Sequence, residues 1–131
     1  MSYKDTSVVI RKDKVYSSYY AKACKIIPDF RLVAISIGIP DNFNGEILRE
    51  LNPSKELLYR YKNKLCDEEE YIKTYTDETL NKVNSSKIYE KLKGKVILCY
   101  CKDTFCHRHI VIDWLKREIG QSIIGGEIWA V

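Results

Sequence analysis

Residues 95–101 read Lys-Val-Ile-Leu-Cys-Tyr-Cys, with Val96, Leu98 and Tyr100 on one face of an extended chain and Ile97, Cys99 and Cys101 on the other. A strand apolar on both faces belongs between two layers of helices, as parallel strands do. After the polar Lys102-Asp103-Thr104, where Asp103 or Thr104 fits an N-cap, the period changes. At about 100° per residue, Ile110, Val111, Ile112, Trp114, Leu115 and Ile119 gather in one sector of a helix. His107 and Arg108 fall in that sector, so both start on the face turned to the sheet. The first-turn amides and the positive dipole end lie there too, a setting that favours an anion. His109, Asp113, Lys116 and Arg117 fall opposite, as surface. Cys106 points outward if it lies in the first turn, and is free to turn inward if the helix begins at His107.

The rest of the chain repeats the alternation of strand and helix. Val15-Tyr16-Ser17 predicts a first strand, preceded by a short edge element at Ser7-Val8-Val9-Ile10, and a short helix then stops before Pro28. Arg31-Leu32-Val33-Ala34-Ile35-Ser36-Ile37 is a second strand, closed by an irregular loop with Gly38, Pro40 and Asn42. Residues 46–93 read as helical: a helix capped by Asn52 ahead of Pro53 with a stripe of Leu57, Leu58, Tyr61 and Leu65; a second opened by Asp67-Glu68-Glu69-Glu70 and continued by Tyr71, Ile72, Tyr75 and Leu80; a third capped by Ser85 or Ser86 that buries Ile88, Tyr89 and Leu92 and ends near Gly94. Past Gly120, Ser122-Ile123-Ile124 and Ile128-Trp129-Ala130-Val131 predict a last strand, either continuous or interrupted at Gly125-Gly126. Strands separated by helices imply a single α/β domain over residues 1–131, with three layers and a mostly parallel sheet of four to five strands carrying helices on both faces.

Composition narrows the function. With 22 Lys and Arg against 18 Asp and Glu the net charge is +4, and no basic block stands out, so nucleic acid is a weakly supported partner while a small anionic ligand or nucleotide stays open. No apolar run spans a bilayer and the first residues form no secretory signal, which predicts a cytoplasmic protein without a membrane partner. The five cysteines are odd in number and lack framework spacing, as expected in a reducing compartment.

In parallel sheets ligands bind beyond the carboxyl ends of the strands. That rule groups Ser17-Ser18-Tyr19-Tyr20, Ser36-Ile37-Gly38-Ile39-Pro40 and Cys99-Tyr100-Cys101 with Cys106-His107-Arg108 in one cleft. A cysteine becomes nucleophilic when a helix N-terminus, an arginine or a histidine stabilises its ionised form, and all three are close here. The expected catalytic set is Cys99, Cys106 and His107. The expected substrate-binding set is Arg108, Ser18, Tyr19 and Ser36. The structural roles that compete with these are a small buried hydrophobe for Cys99, a salt bridge to Asp41 or Glu127 for Arg108, and a turn-closing hydrogen bond for His107. A cysteine-phosphatase loop does not fit, since Cys101 to Arg108 is one residue too long and the loop lacks the glycines that wrap a phosphate. Cys99, Cys101, Cys106 and His107 are soft ligands, but their spacing is no standard zinc knuckle and no metal or cofactor is assigned. Anion binding without catalysis, through Arg108 and the helix amides, needs the fewest assumptions.

The chain resembles a bacterial and archaeal group, the domain-of-unknown-function family four-eight-eight, over nearly its whole length from Val15. The resemblance is carried by Ser18-Tyr19-Tyr20-Ala21, by Ala34-Ile35-Ser36-Ile37-Gly38-Ile39-Pro40, by the acidic start at Asp67-Glu68-Glu69-Glu70-Tyr71, and above all by Leu98-Cys99-Tyr100 followed by Cys106-His107-Arg108-His109. It implies that Cys99, Cys106, His107 and Arg108 form the functional set with the Ser18 and Ser36 loops, and it implies no reaction. The chain departs from the group at Cys101, where relatives commonly carry an acidic residue, and at Ser36 and Gly38, where many carry Asp and Arg.

Overall fold

The computed structural model describes residues 10–100 and 105–128. Five parallel strands, β1 (Val15–Tyr19), β2 (Leu32–Ala34), β3 (Glu46–Ile47), β4 (Lys95–Cys99) and β5 (Ile124–Glu127), lie in the order β3-β2-β4-β1-β5. The helices are α1 (Tyr20–Ile26), α2 (Lys55–Lys62), α3 (Glu68–Glu78), α4 (Ser85–Leu92) and α5 (His107–Glu118). This is the three-layer α/β arrangement expected from the alternation of strand and helix.

Side-chain parity decides the layers. Tyr16, Leu32, Ala34, Val96 and Leu98 pack with Tyr20, Ala23 and Ile27 of the α1 segment. Val15, Val33 and Ile97 face the other way, against Leu57, Tyr71, Tyr75, Ile88, Leu92, Val111 and Leu115 from α2 to α5. Cys99 shares the parity of Ile97 and faces the α5 layer. The connections also fix a switch point. β1 passes through α1 toward β2 on one side, and β4 passes through α5 toward β5 on the other, so the chain diverges between β1 and β4. In such sheets the crevice opens at the carboxyl ends of those two strands, here Tyr19 and Cys99, which are register partners.

Several local expectations are corrected. Residues 46–47 form a short edge strand, not the start of a helix. Ser54 caps α2 in place of Asn52, its Oγ accepting from Leu57 N at 3.0 Å, while Asn52 ends the preceding 3-10 turn Arg49–Leu51. Asn84, one residue before the serines, caps α4 by accepting from Lys87 N at 3.0 Å. Asp67 caps α3 as the acidic run predicts. β2 is shorter than its apolar run because Ser36 Oγ donates to Gly38 O at 2.6 Å and turns the chain, although Ile35 N still reaches Leu98 O at 3.1 Å. Leu65 and Ile72 are exposed rather than part of a buried stripe. β5 runs on through Gly125 and Gly126, while its register against β1 shifts there, from Val15 opposite Ile124 to Tyr16 opposite Gly126. The Tyr16 ring takes the space a side chain at Gly125 would need, an added Cβ falling 2.2 Å from Cε2. The expectations for Ser7-Val8-Val9-Ile10 (up to residue 9), for Cys101, Asp103 and Thr104, and for Trp129-Ala130-Val131 lie outside the described residues. Among the described residues no helix is long and apolar enough to cross a membrane.

Candidate functional site

β4 ends at Cys99 and α5 starts at His107, with Cys106 as its extended N-cap residue at φ −150° and ψ 151°. The helix therefore begins where the Cys106 thiol is free to turn inward, and the side chain is buried. The Sγ atoms of Cys99 and Cys106 meet at bonding distance, closing a disulfide between Cα atoms 7.4 Å apart.

His107 and Arg108 occupy the buried sector of the first turn, as the helical period requires. His107 Nε2 lies 2.7 Å from Ile35 O. A carbonyl only accepts, so Nε2 carries the hydrogen and Nδ1 keeps a lone pair, which points to Cys106 Sγ at 3.6 Å. Burial penalises the charged ring and lowers its pKa from 6.5 to about 4, against the opposing pull of the Ile35 hydrogen bond. The imidazole is neutral at pH 7, and Tyr75 packs against it with ring centroids 5.6 Å apart.

The Arg108 side chain is completely buried, at 0% exposure. Nη1 donates to Cys99 Sγ at 2.8 Å, and Nη2 donates to Glu127 Oε2 at 2.8 Å with Nε 3.4 Å from Oε1. Glu127, from β5, also accepts from Ser17 Oγ and has His109 Nε2 3.6 Å away. Burial alone would raise this carboxyl's pKa. The hydrogen bonds from His109, Arg108 and Ser17, with the charge of Arg108, outweigh burial and bring it from 4.5 down to about 2. The salt bridge weighed for Arg108 in the sequence thus exists, with Glu127 and not Asp41 as partner. It coexists with a donation to the Cys99 sulfur. His109, placed by the helical period on the solvated face, is 42% exposed in its side chain and leans on Glu127.

Ser36 Oγ donates to Gly38 O and so accepts from the Tyr20 hydroxyl, 2.6 Å away. Burial raises Tyr20 to about 12, so the phenol keeps its proton. A hollow of about 190 Å³ is walled by Ser36, Lys62, Cys99, Tyr100, Cys106 and His107. An adjoining hollow of about 350 Å³ shares Lys62, Cys106 and His107 and extends along Tyr61, Tyr71 and Phe105. A wider one of about 720 Å³ lies by Lys64, Cys66 and Asp67, between α2 and α3 and away from Cys99 and Cys106; its size brings no chemistry with it.

The structure thus brings Cys99, Cys106, His107 and Ser36 to one hollow and sets Arg108 behind Cys99. Ser18 and Tyr19 do not line that hollow. Ser18 is buried with its Oγ donating to Ile128 O at 2.9 Å, tying β1 to the chain after β5, and Tyr19 is the buried N-cap residue of α1. Sequence reasoning missed Lys62 as part of the site, and placed Tyr20 in the cleft without giving its hydroxyl a role. Lys62 sits in the last turn of an amphipathic helix, where a lysine is ordinary surface.

Residues 30–119 match the family model DUF488-N3a, described as the active DUF488-N3 subclade, a span that includes Ser36, Cys99, Cys106, His107 and Arg108 and leaves out Ser18, Tyr19 and Glu127. Neither the curated proteins nor the solved structures contain a match to the chain.

Proposed function

This chain belongs to the DUF488-N3a family, and on that premise we propose that it is a small enzyme using a Cys99 or Cys106 thiolate on an anionic or nucleotide-like substrate at the carboxyl edge of the sheet. The observation that carries the reading is the 2.8 Å donation from the buried Arg108 guanidinium to Cys99 Sγ, at the wall of a hollow that also holds Cys106 and His107. A fixed positive charge in hydrogen-bond contact favours the ionised sulfur, the reactive form of cysteine. The description of the subclade as active agrees with a catalytic role.

The parts divide as follows. Joined sulfurs carry no nucleophile, so the working form is the reduced dithiol. In that form Arg108 holds the Cys99 thiolate, and His107, with its Nδ1 unprotonated, takes the Cys106 proton and hands it to a departing group. Lys62 meets the anionic part of the substrate, while Ser36, its hydroxyl committed to Gly38 O and Tyr20, shapes the wall beside it. Arg108, Ser18 and Tyr19 support the site through what they hold: Arg108 through Cys99, Ser18 through Ile128, and Tyr19 as the entry to α1.

Competitive labelling of the reduced, metal-free protein tests this, with iodoacetate as an anionic probe and iodoacetamide as a neutral one, read cysteine by cysteine. Cys99 or Cys106 should label much faster than Cys24 and Cys66 near neutral pH, and Lys62→Ala should slow iodoacetate while leaving iodoacetamide unchanged. Uniformly slow thiols would discard the reading. Retention on a phosphate-bearing matrix that survives Cys106→Ser, together with slow thiols, would instead make the site a binding module.

A further inference from the structure

The Cys99, Cys106 and His107 ligand atoms all lie within 4.8 Å of one another. From this geometry we infer a site for one soft divalent cation, with zinc the natural occupant. The inference goes beyond the thiolate reading and does not depend on it.

Four observations carry it. The first is chemical: two sulfurs and an imidazole nitrogen select zinc-like ions over magnesium or calcium, which take oxygen. The second is the tautomer. The Nε2–H of His107 is held by Ile35 O at 2.7 Å, so the lone pair of Nδ1 faces the sulfurs. A carbonyl on the far ring nitrogen is the outer partner that metal-bound imidazoles regularly use to fix ring and tautomer.

The third observation is backbone spacing. The two cysteine Cα atoms stand 7.4 Å apart, one ending a central strand and the other capping a helix packed on the sheet. Disulfides usually span about 4.4–6.8 Å between Cα atoms. An ion held by Zn–S bonds of about 2.3 Å on each side bridges a wider gap than a direct S–S bond does. The fourth is charge. Two thiolates balance one divalent ion, while the adjoining Arg108 and Glu127 balance each other at 2.8 Å, so the loaded cluster is neutral and suits a buried setting. Three protein ligands leave a fourth position. It faces the hollow of about 190 Å³ walled by all three ligands, the open arrangement of a site that exchanges a water or a ligand rather than a closed structural one.

The consequence for the thiols is direct. A bound ion keeps both sulfurs ionised yet ties up their lone pairs, so loading the site masks the nucleophile.

The test uses cobalt(II) as a spectroscopic probe on the reduced, chelator-treated full chain. One equivalent should bind with a sulfur-to-cobalt charge-transfer band and tetrahedral ligand-field bands, and one equivalent of zinc should erase them. Cys106→Ser and His107→Gln should each weaken the signal, whereas Cys24→Ser and Cys66→Ser should leave it intact. Reversible oxidation of the unmutated chain with diamide should abolish uptake, and reduction should restore it, so the result does not depend on a variant that fails to fold. Zinc at one equivalent should slow iodoacetate labelling of Cys99 and Cys106 at least about tenfold. A folded, reduced chain that takes up no cobalt, or a charge-transfer band that survives Cys99→Ser with Cys106→Ser, overturns the metal site. Absence of a fast thiol in the metal-free chain would count against the thiolate reading alone.

Discussion

Replacing Glu127 by Gln removes one charge from the most deeply buried ion pair described and leaves the shape nearly unchanged. The amide oxygen can still accept from Ser17 and Arg108 Nε, but the amide NH2 replaces the oxygen that accepts from Arg108 Nη2 at 2.8 Å, so the charge and that hydrogen bond are lost together. Glu127 is only 12% exposed in its side chain and Arg108 is 0% exposed, which keeps solvent screening small. The carboxyl's pKa of about 2 against 4.5 in the unfolded chain corresponds, at 1.36 kcal/mol per unit, to about 3 kcal/mol of stability at pH 7. Breaking a buried pair by deleting one partner costs about 3–5 kcal/mol on general grounds, because the remaining charge stays buried without compensation. The two routes agree on about 3 kcal/mol. The sign follows from the depressed pKa: the stabilisation is fully present above pH 4.5 and is lost as the pH falls toward 2. Urea titrations followed by circular dichroism at pH 7, 4 and 3 should show Glu127→Gln less stable by about 3 kcal/mol at pH 7, with the gap closing in acid. A difference under about 1 kcal/mol at pH 7, or one that persists unchanged at pH 3, would show that the pair does not carry the charge balance argued for it.

Three further outcomes are expected. His107 has a depressed pKa as a base, so below pH 6.5 the unfolded chain takes a proton that the folded one refuses; metal-free protein should lose about 1.4 kcal/mol per pH unit between pH 6.5 and 4, and His107→Gln should flatten that slope in pH-dependent urea melts. Ser54→Ala removes the acceptor for Leu57 N and should cost about 1 kcal/mol in a denaturant titration, whereas Asn52→Ala should leave the α2 cap intact. Gly125→Ala drives a methyl into the Tyr16 ring and should cost about 1–3 kcal/mol or more, with Tyr16→Ala in the same chain recovering part of the loss; equal effects in both backgrounds would refute the contact.

The order of strands and helices was legible because both periods are strongly written in the chain. Alternation in residues 95–101 and the 3.6-residue stripe after Cys106 placed Cys99, His107 and Arg108 on facing surfaces, and the structure keeps them there. Short elements were not legible. Two residues of edge strand at Glu46–Ile47 carry no period, and the competition among Asn52, Ser54, Asn84 and Ser85 for cap positions is settled by a turn's local geometry rather than by residue type. The same holds for Gly125, where the register between β1 and β5 shifts and the Tyr16 ring takes the space a side chain would need.

The sequence by itself determined which faces are apolar and therefore which polar side chains had to be buried with them: an arginine and a histidine in the first turn of a helix whose inner stripe cannot face water. What it left open is what those groups meet, because a partner from another strand has no periodic trace in the chain. Only the packing of β5 beside β1 delivers Glu127 to Arg108, only the placement of Ile35 fixes the His107 tautomer, and only the seating of α2 over the carboxyl edge brings Lys62 to the hollow. Charges separated by tens of residues find each other through tertiary structure, since their interaction depends on distance and burial rather than on order along the chain.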